Sequence, residues 1–272
     1  MKKSIRNSLS SKYQRFVKRG VSGITASSRV LPGFIIMGTV RSGTTSLYYN
    51  ICEHPSVLPA AYDEIGFFDS NYHLGIEWYQ SMFPKQKDMD KIKKNTGFAI
   101  TGEDTPFYFW KKEAIDRIFQ CLPSVKIIAI FRNPVDRAYS NYNLGVRMNT
   151  EKSTFEETID EEIEFLENNL FRDSIDRKRS YVTKGMYEKQ IKSWFDVFPR
   201  EQIHILSTEE MEQKPQETLL KIFKFLEIPE YIIKNPQKQK SAKYEKMNGR
   251  TREKLLDYYQ PFNEKFFKII NQ

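Results

Sequence analysis

The chemistry of this chain begins in nine residues, Gly38-Thr-Val-Arg41-Ser42-Gly43-Thr44-Thr45-Ser46. They follow a short apolar run, Phe34-Ile-Ile-Met37, that reads as a buried strand, and they precede a helix predicted over Thr44–Cys52. A strand, a glycine-containing turn and a helix N-terminus form an anion cradle. Backbone N–H groups point outward at the helix start, and glycine lets the backbone approach the ligand closely. The Gly-x4-Gly spacing is that of a phosphate loop. Such a loop in nucleotide kinases has Lys after the second Gly; here Thr44 stands there and the cation, Arg41, sits inside the loop.

A nucleotide kinase also needs an acid at the end of a neighbouring strand to help hold Mg²⁺. The clearest later strand, Lys126-Ile-Ile-Ala-Ile-Phe131, ends instead in Arg132. Glu103 and Asp104, after a weaker strand predicted over 97–101, are the substitutes. A site of cations and N–H donors suits a transferred group of lower charge. A sulfuryl group has about one negative charge rather than two and can be stabilised by side chains alone. Arg132 arrives at the C-terminal end of its strand, where ligands of open α/β sheets gather. Pro134 starts a helix, and Ser140 lies two turns into it on the side of Arg132. An Arg fork beside a hydroxyl suits a phosphate monoester; the alternative is that Arg132 pairs with Asp136 or caps a neighbouring helix.

With these residues in place, the sequence resembles the sulfotransferases that use 3′-phosphoadenylyl sulfate (PAPS). It is most similar to the branch containing the heparan sulfate N- and 3-O-sulfotransferase domains. The resemblance runs in order through residues 31–270 and implies a P-loop-type domain acting without a metal. It implies that Gly38, Arg41, Ser42, Gly43, Thr44, Thr45 and Ser46 form the 5′-phosphosulfate loop. Arg41 would stabilise the leaving phosphate oxygen, although the branch usually has Lys there. Arg132 and Ser140 would hold the 3′-phosphate. Lys240-Ser241-Ala242-Lys243-Tyr244 resembles the Lys-Gly-Arg-Lys-Tyr loop that closes over the cofactor. Ser241 and Ala242 depart from that pattern, and one cationic contact is lost.

The acceptor needs a base. In Asp63-Glu64-Ile-Gly-Phe67-Phe68 a carboxylate stands beside aromatic residues, which raises its pKa into a useful range. The family pattern Lys-Glu-x-x-Phe-Phe implies Glu64 as the base; the bland alternative is a surface Glu before a strand. Two further segments, Asn71–Tyr79 and Gly102–Trp110, resemble those bordering the acceptor cleft, and their aromatics suit either sugar faces or core. By the resemblance, Asp63 stands where the branch usually has Lys and Asp104 where some members have it, which favours a neutral or lightly charged glycan, or an aglycone hydroxyl, over a heparan-like acceptor. Of the three histidines, His73 is the one candidate for a histidine base, His204 reads as structural, and His54 has no partner in the pattern.

The elements that must position these groups alternate in type. Strands are expected near 34–37, 97–101, 126–131 and 202–206. Helices are expected near 44–52, 73–83, 111–121, 134–148, 153–168, 183–197, 215–226 and 250–270. This alternation predicts an α/β domain with a central parallel sheet flanked by helices. The 272 residues suit one large domain over 31–272, with a core that needs no disulfides. The two cysteines, Cys52 and Cys121, make neither a disulfide framework nor a zinc spacing. No apolar run approaches the ~18 residues of a membrane span.

Net charge is +8, and residues 1–30 hold eight bases and no acid. The remainder has 35 bases against 35 acids, so the surplus is a tail and gives no reason to expect nucleic acid as partner. Within the neutral body, 151–167 is acidic and 234–254 is basic. In the tail Ile5, Leu9, Tyr13, Phe16 and Val17 fall at helical spacing among bases, the pattern of a helix on an anionic membrane. The expectation is a cytoplasmic protein whose tail is either solvated or docked on a membrane surface; an organelle transit peptide is the alternative. The functional expectation is sulfuryl transfer from PAPS to a hydroxyl or amine of a carbohydrate, leaving adenosine 3′,5′-bisphosphate. Its rivals are a P-loop kinase or NTPase and a non-catalytic PAPS- or glycan-binding protein on the same fold.

Overall fold

The computed structural model describes residues 26–168, 180–236 and 244–271. Its centre is a five-stranded sheet. The strands are β1 (Phe34–Gly38), β2 (Val57–Pro59), β3 (Ile100–Asp104), β4 (Lys126–Phe131) and β5 (Ile203–Ser207). Their spatial order is β2-β3-β1-β4-β5, and all neighbours run parallel. Strands buried on both faces are apolar throughout rather than alternating, which is why the Phe34 and Lys126 runs were legible. Successive residues still face opposite layers. Ile35, Met37, Ile127 and Ala129 point into one core with Phe67, Tyr79 and Trp194. Phe34, Ile36, Ile128 and Ile130 point into another with Leu47, Leu219 and Phe223.

Helices cover both faces. They are α1 (Thr44–Cys52), α2 (Ile76–Gln80), α3 (Gln86–Thr96), α4 (Lys112–Cys121), α5 (Pro134–Arg147), α6 (Phe155–Asn168), α7 (Glu188–Phe195), α8 (Thr208–Gln213), α9 (Pro215–Phe225) and α10 (Gly249–Ile270). A third apolar cluster joins α5, α6 and α10 through Val135, Ala138, Phe155, Ile159, Leu255 and Tyr259.

Three expectations need correction. The strand predicted over 97–101 lies at Ile100–Asp104, because Gly97 at φ +81° ends α3 instead of opening a strand. As a result Glu103 and Asp104 lie inside the strand, not after it. Helix α3 went unread because it is polar almost all round and buries only Met89. The helix expected over 73–83 shortens to α2, preceded by two tight turns at Phe67–Asn71 and Tyr72–Leu74.

The chain leaves central β1 for edge strand β2, returns through β3, and then crosses to β4 on the other side of β1. This reversal opens a crevice at the C-terminal ends of the strands, where ligands of open α/β sheets bind. Residues 26–30, grouped with the tail by charge, are tied to the body. Ala26 is buried, Arg29 pairs its backbone with Lys85, and the Arg29 guanidinium donates to the Phe83 carbonyl at 2.6 Å. Residues 1–25 lie outside the described residues, as do Lys240, Ser241, Ala242 and Lys243.

Candidate active site

The phosphate loop sits in the crevice as its sequence requires. Gly38 ends β1 opposite Ile130 of β4. A Cβ at Gly38 would lie 2.9 Å from both Ile130 and Thr44, so glycine there lets α1 pack on the sheet. Ser42 N–H donates to the Thr39 carbonyl at 3.0 Å, and the Thr39 and Ser42 hydroxyls bond to each other. Arg41 and Gly43 adopt left-handed conformations, at φ +75° and +90°. A side chain other than glycine or asparagine is uncommon there, and such strain clusters at ligand sites. Gly43 gives α1 no side-chain cap, so the dipole and first-turn amides face the crevice.

The second cation arrives from β4. Asn133 caps α5 by accepting from the Val135 amide at 3.0 Å, and Arg132 just before it reaches back to donate to the Arg41 carbonyl at 3.1 Å. Arg41 Nε donates to the Ser140 hydroxyl at 3.2 Å, joining the two halves of the site. Arg132 does not pair with Asp136, which instead binds Arg252 of α10 at 2.7 Å. Burial, then the charges of Arg147, Arg132 and Arg137, pull the Arg41 pKa down, opposed by Tyr244. A guanidinium half-buried among other guanidinium groups is a setting that an anion would relieve.

One cavity of about 390 Å³ collects these groups: Arg41, Thr45, Ser46, Glu64, Arg132 and Ser140 all line it. Gly43, Thr44 and Tyr244 line it too, and the Tyr244 ring stands edge-on to Tyr139 at 5.4 Å. Gly38 and Ser42 support the loop from behind. Glu64 is exposed to the cavity at φ +51°; partial burial, then Asp63 and Asp69, raise its pKa. Asp63 is occupied by the Tyr49 hydroxyl at 2.6 Å.

The other candidates fall elsewhere. Asp104 is fully buried, and burial first, then Asp63, Glu103 and Glu64, push its pKa well up. Thr45, which lines the cavity, opposes that shift from beside the carboxyl. Asp104 therefore does not wall the cavity as a charge. Trp78, Tyr79, Tyr108, Phe109 and Trp110 are core, while Phe107, 41% exposed, lines the cavity mouth with Lys184 over its ring at 5.5 Å. His73 is exposed and outside the cavity lining. His54 is held by the Pro229 carbonyl at 2.8 Å, and the His204 ring stacks on Phe225.

A second cavity of about 330 Å³ adjoins the loop on the far side of α1, lined by Ser42, Gly43, Asn50, Thr208, Met211 and Pro215 among others. The Thr208 hydroxyl donates to the Ser42 carbonyl at 2.7 Å. Asn50, Thr208, Met211 and Pro215 were missed from sequence. The usable signal was position: Thr208 directly follows β5, as Arg132 follows β4.

Fold and site together define a P-loop-type α/β domain with cations and helix-start amides gathered in its crevice. A model of the sulfotransferase domain matches residues 31–267, and the chain belongs to that family. It is 25% identical to the membrane-associated sulfotransferase kil1 of Dictyostelium discoideum, over 89% of this chain and 66% of that protein. It is 29% identical to mouse heparan sulfate glucosamine 3-O-sulfotransferase 3B1, over 91% of this chain and 65% of that one. For human bifunctional heparan sulfate N-deacetylase/N-sulfotransferase 3 the identity is 28%, and the chain spans 30% of its length. A crystal structure of a sulfotransferase from Alicyclobacillus acidocaldarius superposes with a TM-score of 0.67 at 25% identity, covering 89% of this chain and 97% of that one.

Proposed function

We propose that this chain transfers a sulfuryl group from PAPS to a hydroxyl or amine of a carbohydrate of low charge. The observation that carries this reading is the single cavity in which Arg41, Arg132, Ser140, the α1 N-terminus and Glu64 meet. The residues fit the cosubstrate. Arg41 and the uncapped α1 amides suit a 5′-phosphosulfate, Arg132 and Ser140 a 3′-phosphate, and the adjoining cavity of about 330 Å³ a nucleoside base. Lys240, Ser241, Ala242 and Lys243 belong to this reading through the family resemblance alone; Tyr244 joins it through the cavity. When bound, PAPS supplies an electrophilic sulfur with a phosphate leaving group. Glu64 takes the proton of the acceptor as it attacks, and its raised pKa suits that task. Arg41 and the loop amides hold the negative charge that develops on the departing phosphate.

The acceptor class rests on the cavity wall. Glu64 and Phe107 line it, Asp63 stands behind Glu64, and Asp104 lies buried where related enzymes place Lys. A cytoplasmic location rests on the cysteine usage, and peripheral membrane contact on the basic tail alone. Labelled-sulfate transfer from PAPS across a panel of neutral oligosaccharides, heparan fragments and simple alcohols tests the reading. Transfer to the neutral oligosaccharides is expected; preferred sulfation of heparan fragments overturns the acceptor class. Stabilisation by ATP with Mg²⁺, but not by adenosine 3′,5′-bisphosphate, overturns the cosubstrate.

A further inference from the structure

The backbone that carries Glu64 is bound by residues 104–108, and the binding converges on one carboxylate. The Glu64 amide donates to the Asp104 carbonyl at 3.0 Å. The Gly66 amide donates to the Thr105 hydroxyl at 3.2 Å. Those of Phe67 and Phe68 donate to the Tyr108 hydroxyl at 2.8 and 3.3 Å. Each hydroxyl in turn gives its proton to Glu103, Thr105 at 2.6 Å and Tyr108 at 3.2 Å. Tyr79 adds a third O–H to the same carboxylate at 2.6 Å. Glu103 is 0% exposed and lines neither cavity described above.

The proton count gives this arrangement its direction. A hydroxyl has one proton; once it is given to Glu103, only lone pairs remain for the amides. An ionised carboxylate accepts from all three hydroxyls. A protonated acid or an amide at 103 brings a donor of its own, so the three hydroxyls can no longer all give their protons to it, and one that turns is no longer held in the orientation that serves its amide. The released segment includes two left-handed residues, Glu64 at φ +51° and Gly66 at φ +62°. Such conformations persist where surrounding bonds over-determine them.

We propose that Glu103 is a positioning residue for the acceptor base: it orients the Thr105 and Tyr108 hydroxyls so that they hold the amides of Gly66, Phe67 and Phe68 and so fix where Glu64 points. This rests on reading Glu64 as the base. Burial pushes the Glu103 carboxyl up to about 7, while Thr105, Tyr79 and Tyr108 oppose the shift and Asp69 adds to it. Asp104, the next residue of β3, points to the other layer but lies near enough for the two charges to oppose each other, and Cys121 stands near Tyr79. The orienting charge is therefore lost on mild acidification.

Glu103→Gln tests this in the full chain. The readouts are amide hydrogen exchange of the 64–68 segment, affinity for adenosine 3′,5′-bisphosphate, and kcat with PAPS and whichever panel acceptor turns over fastest. Expected are exchange at least about tenfold faster, a kcat loss of roughly 10–100-fold and nucleotide affinity within about twofold of wild type. In a Glu64→Gln background the same change is expected to leave the residual rate unaltered, since Glu103 acts through Glu64. Tyr108→Phe and Thr105→Val should move the same readouts less, and Thr105→Ser should restore them; these variants decide the matter if Glu103→Gln does not fold. Unchanged kcat and exchange in folded variants, while Glu64→Gln is crippled, overturns the positioning role and leaves the base intact. Equal losses of turnover and nucleotide affinity, or multiplicative effects with Glu64→Gln, overturn it in favour of a purely structural network. A wild-type rate in Glu64→Gln alone overturns the base assignment and this inference with it.

Discussion

Arg41 holds an unfavourable backbone conformation and an unfavourable electrostatic setting at once. Its φ is +75°, and Arg132, Arg137 and Arg147 all oppose its charge. An anion entering the cavity would offset the second of these, which is the setting expected of a cation that binds a ligand. Arg41→Ala should lower sulfuryl transfer by about 10²–10³-fold, measured as labelled-sulfate turnover under saturating acceptor. Glu64→Gln should cost about 10²–10⁴-fold while nucleotide affinity, read by calorimetry, stays near wild type. Because Glu64 works ionised and its pKa is raised, wild-type kcat/KM should fall as pH drops through that raised value.

Between strands and helices, glycine decides how close the elements come. The phosphate loop exists because β1 ends at Gly38, where α1 crosses 2.9 Å from a hypothetical Cβ and Ile130 of β4 presses from the other side. Gly38→Ala should destabilise the protein by about 1–3 kcal/mol, as overpacking does. Urea unfolding should show a lower midpoint with an unchanged slope. The Asp136–Arg252 pair between α5 and α10 is exposed at 36% and 41%, and its removal should cost under about 1 kcal/mol. It matters more for what it leaves to the site, since Arg132 then faces the crevice. The loop and both flanking elements were legible because apolar runs, Gly-x4-Gly and Pro134 are local signals. Helix α3 and the short edge strand β2 were not, because neither has an apolar period of its own.

Buried carboxyl groups give the whole molecule an unusual pH response. Glu103 is pushed up to about 7, and Asp104 and Glu162 are raised as well, burial being the first cause in each case. A native pKa above the unfolded one means the native state binds more protons between the two values. Stability then falls as pH rises from about 4.5 to about 7. For Glu103 alone the change approaches about 3 kcal/mol at its largest. Denaturation at pH 5.5 should therefore require more urea than at pH 7.5, and Glu103→Gln should flatten the difference. Turnover should move in the opposite sense across that window, since Glu103 and Glu64 are both needed ionised. The +8 charge does not enter this balance, because its surplus lies in the N-terminal thirty residues and the rest of the chain sums to zero.

The amino-acid sequence alone determined the Gly-x4-Gly loop, the Arg132–Ser140 segment and the alternation of strand and helix, and it singled out Glu64 as the candidate base, since each is a pattern of residue types within a few positions. It could not show that Asp104 is sealed from the crevice, that most of the cleft aromatics are core, or that Thr208 and Met211 line a second cavity. Those depend on which side of a strand faces which layer, and a three-residue shift of β3 moved both acids inward. The carboxylate of Glu103 acquires its partners only when Tyr79, Thr105 and Tyr108 fold over it. Its effect on the loop at 64–68 is a long-range matter of hydrogen-bond direction, which no local spacing encodes.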